Sequence, residues 1–265
     1  MKVQCLLFSL FIVSSFVFMQ KFQDMTVLIL DHCEYLTNIP DVSGLSNLEK
    51  LSFECCDNLI TIHNSIGHLN KLERLSAFGC NKLKRFPPLG LASLKELELS
   101  CCFSLKSFPK LLCKMTNIDY IYLGSTSIGE LPSSFQNLSE LDGLYLGGGM
   151  LRFPKQNEKM YSIVFSNVTK LSLEECNLSD ECLQIVLKWC VNVEELVLSK
   201  NNFKILPECL SECHHLVRIN VRCCRSLEAI RGIPPNLERL SAEGCHSLSS
   251  SSRRMLMSEV SCCFI

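Results

Sequence analysis

An excess of charge of either sign is missing from this 265-residue chain: 26 Lys and Arg stand against 27 Asp and Glu, a formal net charge of -1. Neither end carries a run of like charge. Nucleic-acid binding relies on a clustered basic surface that displaces phosphate counterions, so this balance removes the usual footprint of a nucleic-acid partner. Aromatic residues are scarce, and Trp189 is the only tryptophan. No Gly-x-x-x-x-Gly-Lys-Ser/Thr loop occurs, so no phosphate cradle for a nucleotide can be assigned. Catalytic constellations are lacking as well, and neither cofactor nor small-molecule substrate is expected. Two things are abundant. Hydrophobic residues make up 47%, too many for a disordered chain. Cysteine occurs 18 times, which forces a choice between a secreted disulfide scaffold and a structural use of the thiol.

The placement of the cysteines bears on that choice. Under the frame LxxLxLxxCxxLxxxP the chain repeats from Met25, Leu48, Leu72, Leu94, Ile118, Leu141, Val168, Val193, Leu216 and Leu237. The spacings fall within the range of about 20 to 29 residues of leucine-rich repeats. The fourth position reads Leu28, Leu51, Leu75, Leu97, Ile121, Leu144, Leu171, Leu196, Ile219 and Leu240, with no exception, and the sixth is apolar throughout. The ninth reads Cys33, Cys56, Cys80, Cys102, Thr126, Gly149, Cys176, Asn201, Cys224 and Cys245. Cysteine therefore keeps register with the repeat. A small, buried, weakly donating thiol suits the inward turn after a short strand, where Asn commonly forms a hydrogen-bonded ladder. These positions need no disulfide.

The expected fold is an α/β leucine-rich-repeat solenoid, a horseshoe of about ten repeats with a concave parallel β-sheet and an irregular, 3₁₀ or short-helical convex side. Residues 1–24 form an apolar leader, 25–248 the repeats and 249–265 a Ser-rich tail. Each unit offers a strand of about three residues and a return arm that often ends in an apolar residue and Pro, as at Ile39-Pro40, Phe86-Pro87 and Leu206-Pro207. Proline suits a return arm outside any ladder. Short amphipathic stretches such as Ser65–Leu69 and Phe135–Leu138 suit 3₁₀ or helical turns. Leu183, Val186 and Leu187 at helical spacing predict a helix in the seventh repeat, and the polar stretch Lys155–Met160 should loop out of the sixth.

Alternation along each strand turns the third, fifth and seventh positions outward on the concave side. These columns hold Phe78, Glu96, Glu98, Tyr120, Tyr122 and Tyr145, then Lys170, Glu174 with the adjacent Glu175, Glu195, Arg218, Arg222, Arg239 and Glu243. Exposed aromatics beside charge are the composition of protein-binding hot spots, although tyrosine also favours strands on propensity alone. Other constellations are weaker. Cys209, Cys213, His214 and His215 have metal-ligand types, but no second pair completes a site. Of the pairs Cys55-Cys56, Cys101-Cys102 and Cys223-Cys224, one member lies in the ladder and the other near the concave rim. Gly147-Gly148-Gly149 reads as a turn.

The run Cys5–Met19, preceded by Lys2, has the form of a signal peptide and is short for a span of about 20 residues, so a membrane partner is not expected. Sequons at Asn137, Asn167 and Asn177 would matter in a secreted chain. Free buried thiols instead fit a reducing compartment. A cytoplasmic or nuclear location is therefore expected, with secretion as the alternative if residues 1–20 act as a signal.

The runs Leu28-Ile29-Leu30-Asp31-His32-Cys33-Glu34-Tyr35-Leu36, Ile39-Pro40-Asp41-Val42-Ser43-Gly44-Leu45 and Ser76-Ala77-Phe78-Gly79-Cys80 resemble the repeat region of plant intracellular disease-resistance receptors. These are the class with a Toll/interleukin-1-receptor-like domain and a nucleotide-binding domain before the repeats. The run from Cys245 to Leu256 is similar to the end of that region in legume-type members. The resemblance extends over roughly Lys21 to Val260, and it implies a non-catalytic recognition module without the receptor's switch and output domains. Its implied partner is a protein: a pathogen effector, a host protein or the receptor's own nucleotide-binding domain.

Overall fold

The computed structural model describes residues 23–148, 167–259 and 261–263. These belong to two compact units, the first ending at Leu141 and the second opening at Asp142. In the first unit the repeats contribute the three-residue strands β1 (Val27–Ile29), β3 (Lys50–Ser52), β5 (Arg74–Ser76), β6 (Glu96–Glu98) and β7 (Tyr120–Tyr122). They pair in parallel in that order. In the second unit β8 (Gly143–Tyr145), β9 (Lys170–Ser172), β10 (Glu195–Val197), β12 (Arg218–Asn220) and β14 (Arg239–Ser241) do the same. Together they give the parallel-stranded leucine-rich-repeat fold that the periodicity predicts.

Each strand occupies positions three to five of its repeat, so its middle residue is the invariant apolar fourth position. Register places Leu28 opposite Leu51, Leu51 opposite Leu75, Leu75 opposite Leu97 and Leu97 opposite Ile121. All are buried, as is the sixth-position column from Leu30 and Phe53 to Leu173 and Val221. Burying one such side chain stabilises by roughly 1.5–3 kcal/mol, and the stack places several of them in every layer. Where the sixth position shrinks to Ala77, the preceding repeat supplies Phe53, one of the largest fully buried side chains.

The return arms differ from a purely non-ladder path. Strand β2 (Asn38–Ile39) pairs with β4 (Thr61–Ile62), and β11 (Ile205–Leu206) pairs with β13 (Ala229–Ile230). Proline is compatible with this because Pro40 and Pro207 follow the last paired residue of β2 and β11. Beyond these arms come 3₁₀ turns at Asn64–His68, Ser133–Asn137 and Glu208–Glu212. The seventh repeat builds a true helix, α1 (Asp180–Trp189), which buries Leu183, Val186 and Leu187. The Ser179 hydroxyl accepts the Cys182 N–H to cap it, and Asp180 and Glu181 complement its N-terminal dipole. The Asp180 carboxylate also accepts the N–H groups of Lys204 and Ile205, tying the helix start to β11.

The Ser-rich stretch after Leu248 continues the architecture. Helix α2 (Ser250–Glu259) buries Leu256, and β15 (Ser261–Cys263) pairs with β14, setting Cys262 opposite Leu240. The Ser252 hydroxyl accepts the Ile230 N–H, and the Arg253 guanidinium donates to the carbonyls of His246 and Leu248. Residues 1–22 of the leader, the Lys155–Met160 stretch and Gly149 lie outside the described residues.

One backbone feature recurs in all ten repeats. The eighth position has positive φ at His32, Cys55, Gly79, Cys101, Ser125, Gly148, Glu175, Lys200, Cys223 and Gly244, between 53° and 75°. Seven of these residues are not glycine, and a left-handed conformation costs such residues roughly 1–2 kcal/mol. The turn compensates by aiming the eighth N–H at the next repeat: Cys55 donates to the Phe78 carbonyl, Cys101 to Gly124, Lys200 to Arg222 and Cys223 to Glu243. None of the ten is β-branched, the side-chain type that tolerates this conformation least.

Close approach sets a second backbone demand. A Cβ added at Gly67 would lie 2.0 Å from the Pro88 carbonyl oxygen, whereas one at Gly129 would meet nothing within 4 Å. Gly67→Ala should therefore lower unfolding free energy by about 2 kcal/mol, and Gly129→Ala should leave it within roughly 0.5 kcal/mol. Parallel urea titrations of the two variants check this; equal midpoints would contradict the packing.

Candidate functional site

The ninth-position side chains project from the end of each strand turn into the gap between layers. There they meet the sixth-position carbonyl of the preceding repeat. The Cys56 Sγ–H donates to Leu30 at 3.2 Å, Cys80 to Phe53 at 3.1 Å, Cys102 to Ala77 at 3.1 Å, Cys224 to Leu198 at 3.1 Å and Cys245 to Val221 at 3.0 Å. Cys176 donates likewise to Leu146. Asn201 makes the corresponding bond to Leu173 at 2.8 Å, adds one to Leu198 in its own repeat, and accepts the Leu178 N–H. Thr126 turns its hydroxyl to Leu123 of its own repeat. Cys33, in the first repeat, is buried.

Burial determines the chemistry of these thiols. It pushes Cys102 and Cys224 up to about 12 and Cys80 higher still, so they remain protonated donors at neutral pH. The neighbouring eighth-position thiols are different in access: Cys55 and Cys101 are half-buried and Cys223 is exposed. The left-handed turn throws the eighth side chain out while the ninth goes in, which separates the two members of each Cys-Cys pair.

The strands present the third, fifth and seventh positions on the open sheet face. In the first unit Phe78 is 37% exposed, and Glu96, Glu98, Tyr120 and Tyr122 are half-buried. The rings of Tyr120 and Tyr122 stack with centroids 6.4 Å apart and planes at 24°. Glu96 lies 3.6 Å from Arg74 of the preceding strand. The Glu98 carboxylate accepts the Ser100 N–H at 2.6 Å, yet burial raises its pKa overall, with Glu54 and Glu96 adding to the rise. Lys50, Glu54, Arg74, Glu96 and Glu98 line one shallow depression on this face. Lys50, Glu54 and Arg74 stand in the same outward columns of the repeat as Glu96 and Glu98, where alternation alone gives them no prominence.

In the second unit Tyr145 is half-buried on β8. The charges here pair between consecutive repeats: Lys170 with Asp142 at 3.0 Å, Glu174 with Lys200 at 3.0 Å, Glu195 with Arg218, and Arg222 with Glu243 at 3.1 Å. Glu175 also reaches Lys200, at 3.8 Å, and the pair of carboxylates raises the lysine's pKa. Arg239 stands opposite Arg218 in strand register. These partly exposed pairs organise the face more than they stabilise it.

Cys209, Cys213, His214 and His215 do share one depression, bounded by Leu187 and Val191 at the end of α1. Among the described residues, however, no three Cys, His, Asp or Glu side chains converge as a metal-binding group. Burial pushes Cys213 up to about 11, which also disfavours the thiolate a metal requires.

Residues 156–254 match the family described as disease resistance protein RPS4B-like, leucine-rich repeats. The chain is 36% identical to disease resistance protein RPP4 of Arabidopsis thaliana over 210 residues, covering 78% of itself and 17% of that protein. To TMV resistance protein N of Nicotiana glutinosa it is 24% identical over 287 residues, covering 80% of itself and 25% of that protein. Its repeats are similar to the leucine-rich-repeat region of plant disease-resistance proteins. The chain thus spans a quarter or less of the length of these relatives. The fold also matches the solved structure of a TLR13–ssRNA13 complex, with TM-score 0.58 and 19% identity over 84% of this chain and 41% of that one.

The difference in access within the Cys-Cys pairs is measurable. Maleimide labelling of the native chain at pH 7.5, read by peptide mass spectrometry, should modify Cys223 readily and leave Cys80, Cys102 and Cys224 unlabelled until denaturant is added. Labelling of Cys224 at the rate of Cys223 would contradict the inward ladder.

Proposed function

We propose that the chain is a non-catalytic recognition module of plant innate immunity whose open sheet face binds a protein. The partner is a pathogen effector, a host protein or a nucleotide-binding domain of the receptor type these repeats accompany. One observation carries the reading: Phe78 and the stacked Tyr120–Tyr122 pair stand among charged side chains on the open face of the first unit. Aromatic rings supply large contact area at low entropic cost, and partly exposed ones beside charge form the centre of many interfaces. Relatives that include TMV resistance protein N and RPP4 support the immune context. A module of this kind acts by differential affinity for two states of a partner or of its own receptor.

The ladder supports a reading of the compartment. Six ninth-position thiols donate hydrogen bonds, which only reduced cysteine can do, so the fold suits a reducing interior such as the cytoplasm or nucleus.

Proximity labelling in plant cells tests both statements. The chain fused to a biotin ligase should mark a defined set of cytoplasmic or nuclear proteins. The variant Phe78→Ala/Tyr120→Ala/Tyr122→Ala, with an unchanged melting profile, should mark part of that set at least fivefold less. Identical labelling would refute the aromatic face. A glycosidase-sensitive, secreted product carrying sugar at Asn177 would refute the compartment.

A further inference from the structure

On the open face of the first unit, cations and carboxylates do not cancel. The depression there holds Glu54, Glu96 and Glu98 against Lys50 and Arg74, and Arg74 is engaged with Glu96. Among the described residues no Lys, Arg or His nitrogen is paired with Glu54 or Glu98. The acidity extends to the adjoining rim: the Cys55 thiol is held up first by burial and then by Glu54, Asp57 and Asp31. Among the described residues, Asp31 accepts only neutral donors, the Ser52 hydroxyl and the Glu54 N–H.

Aromatic surface adjoins these carboxylates. Strand register sets Tyr120 opposite Glu96 and Tyr122 opposite Glu98, with the two rings stacked on each other. Phe78 occupies the seventh position between the repeats that carry Glu54 and Glu98 and is partly exposed. A carboxylate withdrawn from water gains most from a charged donor that replaces its lost hydration. An aromatic face beside it favours a planar cation, and the guanidinium group satisfies both demands at once, as a lysine ammonium does less well.

We propose that this face docks an arginine-bearing basic segment of a partner protein, its guanidinium groups pairing with Glu98 and Glu54 and stacking on Tyr120 and Tyr122. The inference rests on the reading that the open face binds protein, and it specifies the chemistry of what is bound. Lys50 lies in the same depression and swings aside toward solvent when the segment enters.

A displayed library of random dodecapeptides, selected against the full chain at about 0.15 M salt, where exposed charges are screened beyond roughly 8 Å, tests it. Enriched peptides should carry arginine. A synthetic representative should bind at least tenfold more weakly when its arginines are replaced by citrulline, and weaken several-fold with lysine in their place. Binding should fall at least tenfold for Glu54→Gln/Glu98→Gln, whose isosteric side chains preserve the fold as checked by melting, and for Tyr120→Ala/Tyr122→Ala. Peptides without arginine that are lost with the tyrosine variant but unaffected by the glutamine variant would overturn this inference and leave the protein-binding face standing. Peptides indifferent to both variants, or no enrichment over a bait-free control, would overturn both.

Discussion

A sixth-position carbonyl that turns toward the interior at the end of every strand has to find a donor, and the architecture is organised around that requirement. In seven of the described repeats a ninth-position side chain meets the need left by the preceding layer, whereas Thr126 turns to the Leu123 carbonyl of its own repeat. Where no backbone N–H also reaches that oxygen, losing the bond would leave it buried and unsatisfied at a cost of roughly 1–3 kcal/mol. The leucine columns supply the gross driving force, but they are tolerant of sliding, since one leucine packs on another much as on the next. The directional S–H···O contacts, near 3.1 Å in five repeats, hold one layer in a single register on its neighbour.

Much of this is legible in the residues because the constraint acts on side chains. Every fourth-position residue has to fill the same buried slot, so it recurs as Leu or Ile, and the ladder slot favours small donors, so Cys recurs there with one Thr and one Asn beside it. The helix in the seventh repeat is visible for the same reason, as Leu183, Val186 and Leu187 share one face. The eighth position escapes notice because its constraint acts on the backbone. His, Cys, Ser, Glu, Lys and Gly all occupy it, and nothing in that assortment announces a positive φ. The short return-arm ladders are also hidden, because the prolines that follow β2 and β11 suggest a path outside any sheet.

The open face shows a different limit. Alternation tells which residues point outward, so Glu96, Glu98, Tyr120 and Tyr122 can be picked out in advance. Which charge answers which depends on the register between repeats, about two dozen residues apart in the chain. Arg218 with Glu195 and Arg222 with Glu243 link consecutive repeats in this way, and they occupy charges that a column-by-column reading counts as available for a partner. Glu54 and Glu98 stand out only after such pairs have been subtracted. The composition-level balance of -1 therefore conceals an acidic, aromatic face in one unit and a largely self-paired one in the other.

The left-handed eighth residue carries an evolutionary consequence. Its N–H is satisfied by a main-chain carbonyl of the next repeat, an atom that every possible successor possesses whatever its side chains. A repeat bounded by such turns makes no demand on the identity of its neighbour at this point, only on the neighbour's presence. Unequal exchange between gene copies can then insert, delete or swap whole repeats without stranding this donor. The outward columns, and with them the repertoire of partners, are thereby free to be reshuffled one layer at a time.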